Sequence, residues 1–340
     1  MLNETKYYCP ECDEGFDLPK MRSRRDFLQA IGATAAAAAV STSGFRARAA
    51  DSPEKPAESL IKELYATLSA EQKSELVLPY EHDSKGEPTR KKTFNGPPLG
   101  TEKRLEKMFT KPQQELVQRT LKAILANDEA FERLTRHGKW DSSGSFEGCG
   151  VALFGTPEGK SPYAWVFSGH HLTLRCDGNS EPGTAWGGPI YYGHSVAGYD
   201  KNNVYLYQTE QVQTVFDSLN EKQRAKAMAT KNPGDTHPAG FAPTNPRHGI
   251  PLAELAADQK ANVEKTMRVL LEPFRKEDGD EVMQLIKANG GLEHVNIAFY
   301  KDDGESDKAR WHFWRLEGPG FVWNFRPLPH VHCFVNVVQA

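Results

Sequence analysis

The C-terminal part of this 340-residue chain constrains its fold most strongly. It contains four short runs rich in β-branched and aromatic residues, at positions 295–300, 310–317, 321–326 and 331–338. Two turn-forming triplets, Asp302-Asp303-Gly304 and Gly318-Pro319-Gly320, separate the first three runs. Short sequential strands joined by tight turns pair as antiparallel neighbours. This segment therefore predicts an antiparallel meander.

Other parts of the chain add strands and helices to this meander. Further β-prone runs occur at 151–154, 163–167 and 171–176. Helical periodicity occurs at 57–78, 102–136, 210–219, 221–229, 252–274 and 281–289. Ser69 suits a helix N-cap, and Pro112 is expected to divide the second helical stretch. We predict an α+β fold with one mainly antiparallel sheet, built from the meander and the strands near 151–176 and packed with several helices.

The domain organisation follows from the first fifty residues, which have the pattern of an export signal. Ser23-Arg24-Arg25-Asp26-Phe27-Leu28 matches a twin-arginine motif, and an alanine-rich apolar run and Ala47-Arg48-Ala49 follow it in the order of a cleaved signal. The alternative is an alanine-rich helix of the folded domain. We expect the twin-arginine translocase to export the chain and residues 1–49 to be removed. A periplasmic or secreted single domain, 50–340, would remain, with an N-terminal helical part at 57–138.

Composition and cysteine usage exclude several classes of protein. Cleavage would discard Cys9 and Cys12, a lone C-x-x-C pair, and leave Cys149, Cys176 and Cys333. Three cysteines allow at most one internal disulfide, so a hydrophobic core has to hold the fold. A formal net charge of −3 offers no basic face for nucleic acid. The apolar run of the signal is shorter than the roughly 20 residues that a bilayer requires, so we expect no stable membrane span.

A His-x-His pair marks the last predicted strand. Side chains alternate between the faces of a strand, so His330 and His332 share one face while Val331 and Cys333 lie on the other. Two imidazoles on one face can bind a single metal ion. The alternative is a pair of solvated histidines at a sheet edge.

A second pair of histidines, in Gly169-His170-His171-Leu172, opens an earlier β-prone run. On a regular strand His171 shares a face with Arg175, and His170 points the opposite way. His171 is then the better candidate ligand, and His170 is expected to be a buried, hydrogen-bonded core residue. A bend at Gly169 would instead bring both histidines to the same side.

Other polar residues are weaker candidates. His194 is expected in a loop after the run at 189–192, either as an exposed turn residue or as a further metal ligand. Arg175, Arg315 and Glu317 are the catalytic candidates, because they fall on polar faces of predicted strands. Together with Asn324 and Arg326, they could bind an anionic substrate or hydrogen-bond to the imidazoles. The alternative is that these side chains are simply solvated.

Four segments of the chain form a familiar combination: Trp165-Val166-Phe167-Ser168-Gly169-His170-His171-Leu172, the segment 189–194, Gly249-Ile250-Pro251-Leu252 with Gln259, and Pro329-His330-Val331-His332. Together they resemble the family called domain of unknown function 3500. It covers most of the mature chain and implies an exported bacterial protein without implying an activity. It favours a shared site that contains His170 or His171 together with His330 and His332.

Three hypotheses about function remain open at this level. The first is a metal-dependent enzyme of the cell envelope, in which His171, His330 and His332 bind zinc, copper, iron or manganese and His194 or Glu317 completes the shell. If His171 lies within about 5 Å of the other two, a metal site is expected, because zinc–imidazole bonds are about 2 Å long. No nucleotide-binding loop, serine-hydrolase elbow or zinc-protease helix motif is present.

The other two hypotheses do without a metal. A non-catalytic binding protein could hold a small envelope ligand, such as a sugar or a peptide, between exposed tryptophans at Trp311, Trp314 and Trp323 and a covering loop at 231–251. A metal-free hydrolase could use a histidine as general base with Cys176 or a carboxylate.

Overall fold

The fold is known from a computed structural model that describes residues 55–83, 88–230, 233–234, 243, 246–301 and 311–340. The predicted signal at 1–49, the turn at 302–304 and most of the loop at 231–251 lie outside these residues. The described helices are α1 (Pro56–Thr67), α2 (Ala70–Leu76), α3 (Leu105–Met108), α4 (Lys111–Ile124), α5 (Asp128–Leu134), α6 (Leu206–Ser218), α7 (Glu221–Ala227), α8 (Ala257–Leu271) and α9 (Lys276–Ala288).

Eleven strands occur in the described part of the chain, and all of them join one sheet. They are β1 (Val77–Leu78), β2 (Gly150–Gly155), β3 (Tyr163–Gly169), β4 (Leu172–Cys176), β5 (Ile190–His194), β6 (Met228–Ala229), β7 (Ile250–Pro251), β8 (Asn296–Tyr300), β9 (Phe313–Gly318), β10 (Phe321–Arg326) and β11 (Val331–Val337). The predicted α+β fold is confirmed.

The sheet is mixed, although most of its pairs are antiparallel. Its strand order is β1-β2-β3-β4-β5-β11-β10-β9-β8-β6, and β7 pairs with β8 beside this path. The pairs β1–β2 and β6–β8 are parallel. Each of these two pairs includes a strand of only two residues, β1 or β6. Such a strand is too short to show an alternating pattern in the sequence, which is why the parallel pairs were not predicted. The C-terminal meander is present as β8 to β11, as the sequence predicts.

The antiparallel pairing of β5 with β11 joins the two groups of strands. Its register places Gly193 opposite His332 and His194 opposite Val331. The prediction that both groups form one sheet is thereby confirmed. His194 was expected in a loop, but it is the last residue of β5, because the backbone of β11 continues the ladder to that point.

Local sequence signals explain where the N-terminal helices begin. Ser69 and Gln72 form a reciprocal capping box at the start of α2, which confirms the predicted N-cap. Pro112 lies in the first turn of α4, where its missing N–H group costs nothing. The predicted helical stretch at 102–136 contains three helices, α3, α4 and α5.

The helices cover one face of the sheet and form the main core with it. Core side chains include Leu64, Leu121 and Leu270 from helices and Trp314 and Leu316 from β9. Three tryptophans, Trp311, Trp314 and Trp323, are fully buried in this core. The expectation that they form exposed stacking surfaces is therefore wrong, because Trp314 and Trp323 point from their strands into the core and Trp311, just before β9, packs there as well.

The opposite face of the sheet carries buried polar side chains. Register places Thr173, Tyr191, His332, Arg326 and Arg315 on this face. A segment before α3 covers its β3–β4 end, where the carbonyl oxygen of Phe94 accepts hydrogen bonds from the hydroxyls of Ser168 (3.1 Å) and Thr173 (2.7 Å). The candidate site lies on this polar face.

Candidate metal centre

Three histidines converge on the polar face of the sheet. The Nε2 atom of His330 lies 3.1 Å from Nε2 of His171 and 2.9 Å from Nε2 of His332. One nitrogen from each ring lies within 4.8 Å of the others, and all three residues are buried. His171 therefore meets the distance criterion of the sequence-based metal hypothesis. We call these residues the three-histidine cluster.

Two members of the cluster come from β11 and its approach. His330 immediately precedes β11 and His332 is its second residue. Their predicted position on one face is confirmed by the 2.9 Å separation of their Nε2 atoms. Neither is solvated at a sheet edge, because β5 and β10 flank β11.

The third member comes from a hairpin turn rather than a strand. β3 ends at Gly169 and β4 begins at Leu172, so His170 and His171 form the two-residue turn between them. The prediction that the two rings point in opposite directions is wrong, because strand alternation does not apply in the turn. Their ring centroids are 3.9 Å apart.

Two glycines allow close approaches around this turn, Gly169 to the segment before β2 and Gly193 to β11. A Cβ atom at Gly169 would lie 2.5 Å from Sγ of Cys149, and one at Gly193 would lie 2.3 Å from the carbonyl oxygen of Val331. The N–H group of Gly193 donates to the carbonyl of His171 at 2.9 Å. Gly193 thus links the hairpin turn to the position opposite His332.

Asp141 supports His171 from the other side of its ring. Oδ2 of Asp141 lies 3.0 Å from Nδ1 of His171 and 3.3 Å from Nε of Arg136. Arg136 is also buried and donates to the carbonyl of His170 at 2.8 Å. Ser195 adds its hydroxyl, 3.2 Å from Nδ1 of His171. The nitrogen of His171 that faces away from the cluster is consequently surrounded by polar groups.

Backbone strain is concentrated in the same region. Of the seven non-glycine residues with positive φ in the described chain, five lie here: Arg136, His137, Trp140, Asp141 and His171. Such conformations cost about 1–3 kcal/mol each and persist only where the surroundings enforce them. They are typical of functional sites, so the strain is an independent indication that this region has been shaped for a role.

Burial changes the pKa values of the site. It lowers the pKa of His171 and of His332 well below 6.5, and neighbouring histidines, with Arg326 beside His332, act in the same direction. Burial alone would raise the pKa of Asp141, but its hydrogen bond to His171 and the charge of Arg136 outweigh this effect and hold the pKa below 3.8. The site therefore combines neutral imidazoles at His171 and His332 with an ionised carboxylate at Asp141.

The two other candidate ligands, His170 and His194, are not members of the three-histidine cluster. His170 is buried, and its Nδ1 accepts a hydrogen bond from the N–H of Ser142 at 3.3 Å, which confirms its expected hydrogen-bonded role. His170, His171 and Asp141 form a second group whose ligand atoms lie within 4.8 Å of one another. His194 has its Nε2 3.9 Å from Oδ1 of Asp141, so it contacts the carboxylate side and not the Nε2 side of the cluster.

The structure does not bring the catalytic candidates to the cluster. Arg175 donates to the carbonyl oxygens of Arg90 (2.9 Å), Lys92 and Pro189, which fixes a loop on the sheet. Arg315 and Glu317 lie on β9 and contact each other. Since β10 separates β9 from β11, these two side chains start about 10 Å from the strand of His332.

Sequence reasoning missed the residues that surround His171. Asp141 and Arg136 lie in an irregular segment between α5 and β2, which carries no periodic pattern or metal-ligand spacing. A weak signal was the run Trp140-Asp141-Ser142-Ser143-Gly144, whose composition is typical of a tight loop.

The fold and the site together define an α+β protein with a buried three-histidine cluster on its sheet. Residues 51–336 match the family model described as a protein of unknown function (DUF3500), so the chain belongs to this family. No curated protein and no solved structure matches the chain significantly. Among the described residues, no helix has the length and apolar character needed to cross a membrane.

The depressed histidine pKa values predict the pH dependence of the metal-free protein. Below pH 6.5 the unfolded chain binds protons at His171 and His332 that the folded chain excludes, so the free energy of unfolding should fall by about 1.4 kcal/mol per pH unit for each histidine. Asp177 opposes this trend between its ordinary pKa of 3.8 and its folded pKa of about 6, which burial raises. Urea denaturation with a chelator at pH 7.5, 6.0 and 5.5 measures the slope.

A pair of variants isolates the contribution of the cluster. His332→Gln should make the slope shallower by about 1.4 kcal/mol per pH unit below 6.5. His294→Gln, at an exposed position, should leave it unchanged. An identical slope in the native protein and in His332→Gln would show that the pKa of His332 is not lowered in the folded protein.

Proposed function

We propose that this chain is a metal-dependent enzyme that works after export, with one divalent ion bound by His171, His330 and His332. The observation that carries the proposal is the convergence of three buried Nε2 atoms, two of whose separations are 3.1 and 2.9 Å. Tetrahedral zinc with bonds of about 2.0–2.1 Å has ligand nitrogens about 3.3 Å apart. Small side-chain shifts would therefore fit the cluster around an ion.

The hydrogen bonds at the edge of the cluster fix the protonation of two imidazoles. Ionised Asp141 can only accept, so Nδ1 of His171 carries the proton and its Nε2 presents a lone pair. The guanidinium of Arg326 can only donate, and its Nη2 lies 3.0 Å from Nε2 of His332, which therefore also has a lone pair.

His330 lies between these two lone pairs. Its Nε2 can carry one proton at most in the neutral ring, so at least two lone pairs point into the cluster in either tautomer. A cation at the centre would satisfy all three nitrogens together. Because burial disfavours charged imidazolium rings here, a metal ion suits the cluster better than additional protons.

Asp141 has the position of a residue that orients a metal ligand. A ligating histidine commonly donates its outer N–H to a carboxylate, which fixes the ring and raises its basicity. We assign this role to Asp141, and Arg136 holds the carboxylate in place at 3.3 Å. The same contacts make the group Asp141, His170 and His171 less suited to an ion, because the guanidinium of Arg136 already neutralises the carboxylate.

The ligand set narrows the choice of ion and indicates catalysis. Imidazole suits zinc, copper and iron, whereas manganese prefers oxygen ligands. Three protein ligands leave a coordination position open, as in catalytic zinc sites, where the ion activates water or polarises a substrate. The competing hypothesis of a binding protein loses its stacking surfaces, since Trp311, Trp314 and Trp323 are buried.

Elemental analysis tests the proposal directly. The exported protein, purified without truncation beyond the signal, should contain about one equivalent of zinc, copper or iron per chain, and a chelator should lower its thermal stability. His330→Ala should lose the metal and the chelator effect, whereas His294→Ala, at an exposed position, should retain both. The absence of stoichiometric metal, together with unchanged melting of native protein on adding each ion, would refute the proposal.

Asp141→Asn tests the orienting role. Loss of the carboxylate should weaken metal binding about 10- to 100-fold, because His171 loses its charged partner. Competition with a chromophoric chelator measures the affinity. Asp128→Asn, whose side chain is 84% exposed, is the matched control and should bind the ion as the native protein does. An affinity within twofold of native for Asp141→Asn would exclude the role.

Export by the twin-arginine pathway is the remaining part of the proposal. It is supported by Arg24-Arg25, the apolar run and Ala47-Arg48-Ala49. Replacing both arginines with lysine should leave the precursor in the cytoplasm, whereas Arg22→Lys should not. Cell fractionation follows the protein, and N-terminal sequencing of the exported form should begin at Ala50. Normal export of the double-lysine variant would contradict the assignment.

A further inference from the structure

Arg326 is a charged side chain that contacts the three-histidine cluster on the polar face of the sheet. It is opposite His332 in the β10–β11 register, so both side chains project from the same face of the sheet. Its Nη2 atom lies 3.0 Å from Nε2 of His332, and the residue is only 7% exposed. A guanidinium is thus buried directly beside the position proposed for the ion.

The contact between Arg326 and His332 cannot coexist with metal binding at the same nitrogen. Nε2 of His332 has one lone pair, which either accepts from Arg326 or binds the ion. When the ion binds this lone pair, the N–H group of Arg326 that donates to His332 in the metal-free site needs another acceptor. An ion and a guanidinium that are close neighbours in a buried site repel each other unless an anion lies between them.

Two carboxylates near this face contact other arginines. Asp141 lies 3.3 Å from Arg136, and Glu317 contacts Arg315. Arg315 also donates to Oδ1 of Asn324 on β10 at 3.0 Å. The guanidinium of Arg326, by contrast, contacts a ring of the three-histidine cluster, that of His332.

We propose that Arg326 binds an oxyanion group of the substrate, a carboxylate or a phosphate, next to the metal ion. The planar fork of a guanidinium matches the paired oxygens of both groups, and burial strengthens these charge-assisted hydrogen bonds. The proposal rests on the metal site described above and adds the substrate class to it. Arg326 exchanges a hydrogen bond to His332 for one to the substrate when the site is loaded.

Anion titration of cobalt-loaded full-length protein tests this assignment without an activity assay. Acetate and inorganic phosphate are added separately at constant ionic strength, and the visible absorption of the cobalt ion reports binding beside it. At least one of the two anions should bind saturably to the native protein. Whichever anion binds distinguishes a carboxylate site from a phosphate site.

Variants of Arg326 decide whether this residue holds the anion. Arg326→Gln should weaken binding about tenfold or more, because it removes a charge-assisted hydrogen bond. Arg326→Lys should weaken it less, since it keeps the charge and loses the fork. It also provides the test if the glutamine variant fails to fold. Arg268→Gln, with a half-exposed side chain on α8, is the control and should bind the anion normally.

The outcomes separate this inference from the metal proposal. Cobalt binding with no response to either anion, or with affinities within twofold of native in both Arg326 variants, overturns the inference and leaves the metal site intact. Failure of the native protein to bind cobalt, zinc, copper or iron overturns the metal proposal and the inference with it.

Discussion

The pairing of β5 with β11 is the contact on which the rest of the site depends. It joins strands from residues 77–194 to strands from residues 296–337, and its register places Gly193 between the turn at His171 and the strand position of His332. A shift of this register by one residue would move His332 to the helical face, because side chains alternate along the strand. The three-histidine cluster therefore exists only while this one ladder keeps its register.

The surroundings of the cluster depart from the rules that the rest of the fold follows. The main core is apolar, whereas the segment before β2 combines positive φ values at Arg136 and Asp141 with a buried ion pair. Each of these features costs stability by itself. Such local violations are expected where a protein has to hold a site in place, and here the ion pair with Arg136 fixes Asp141, whose carboxylate contacts the ring of His171.

Sequence patterns predicted the parts of the site that local geometry controls. His330 and His332 share a face because β11 is a regular strand, and that conclusion needed only the alternation of apolar and polar residues. The same rule failed at His170 and His171, because a two-residue turn with positive φ at His171 replaces the strand there. Arg175, Arg315 and Glu317 fell on the expected polar face, yet their hydrogen bonds and strand positions keep them away from the cluster.

The amino-acid sequence by itself determined the fold class, the meander at the C-terminus, the His-x-His pair and the membership of the family. It could do so because helix and strand periodicity, turn residues and motif segments are local properties of the chain. Only the tertiary structure decided that Asp141 supports His171, across 30 residues, and that His171 meets His330, across 159 residues. These contacts depend on strand order and register, which arise from packing of the whole sheet and leave no mark in the spacing of the residues concerned.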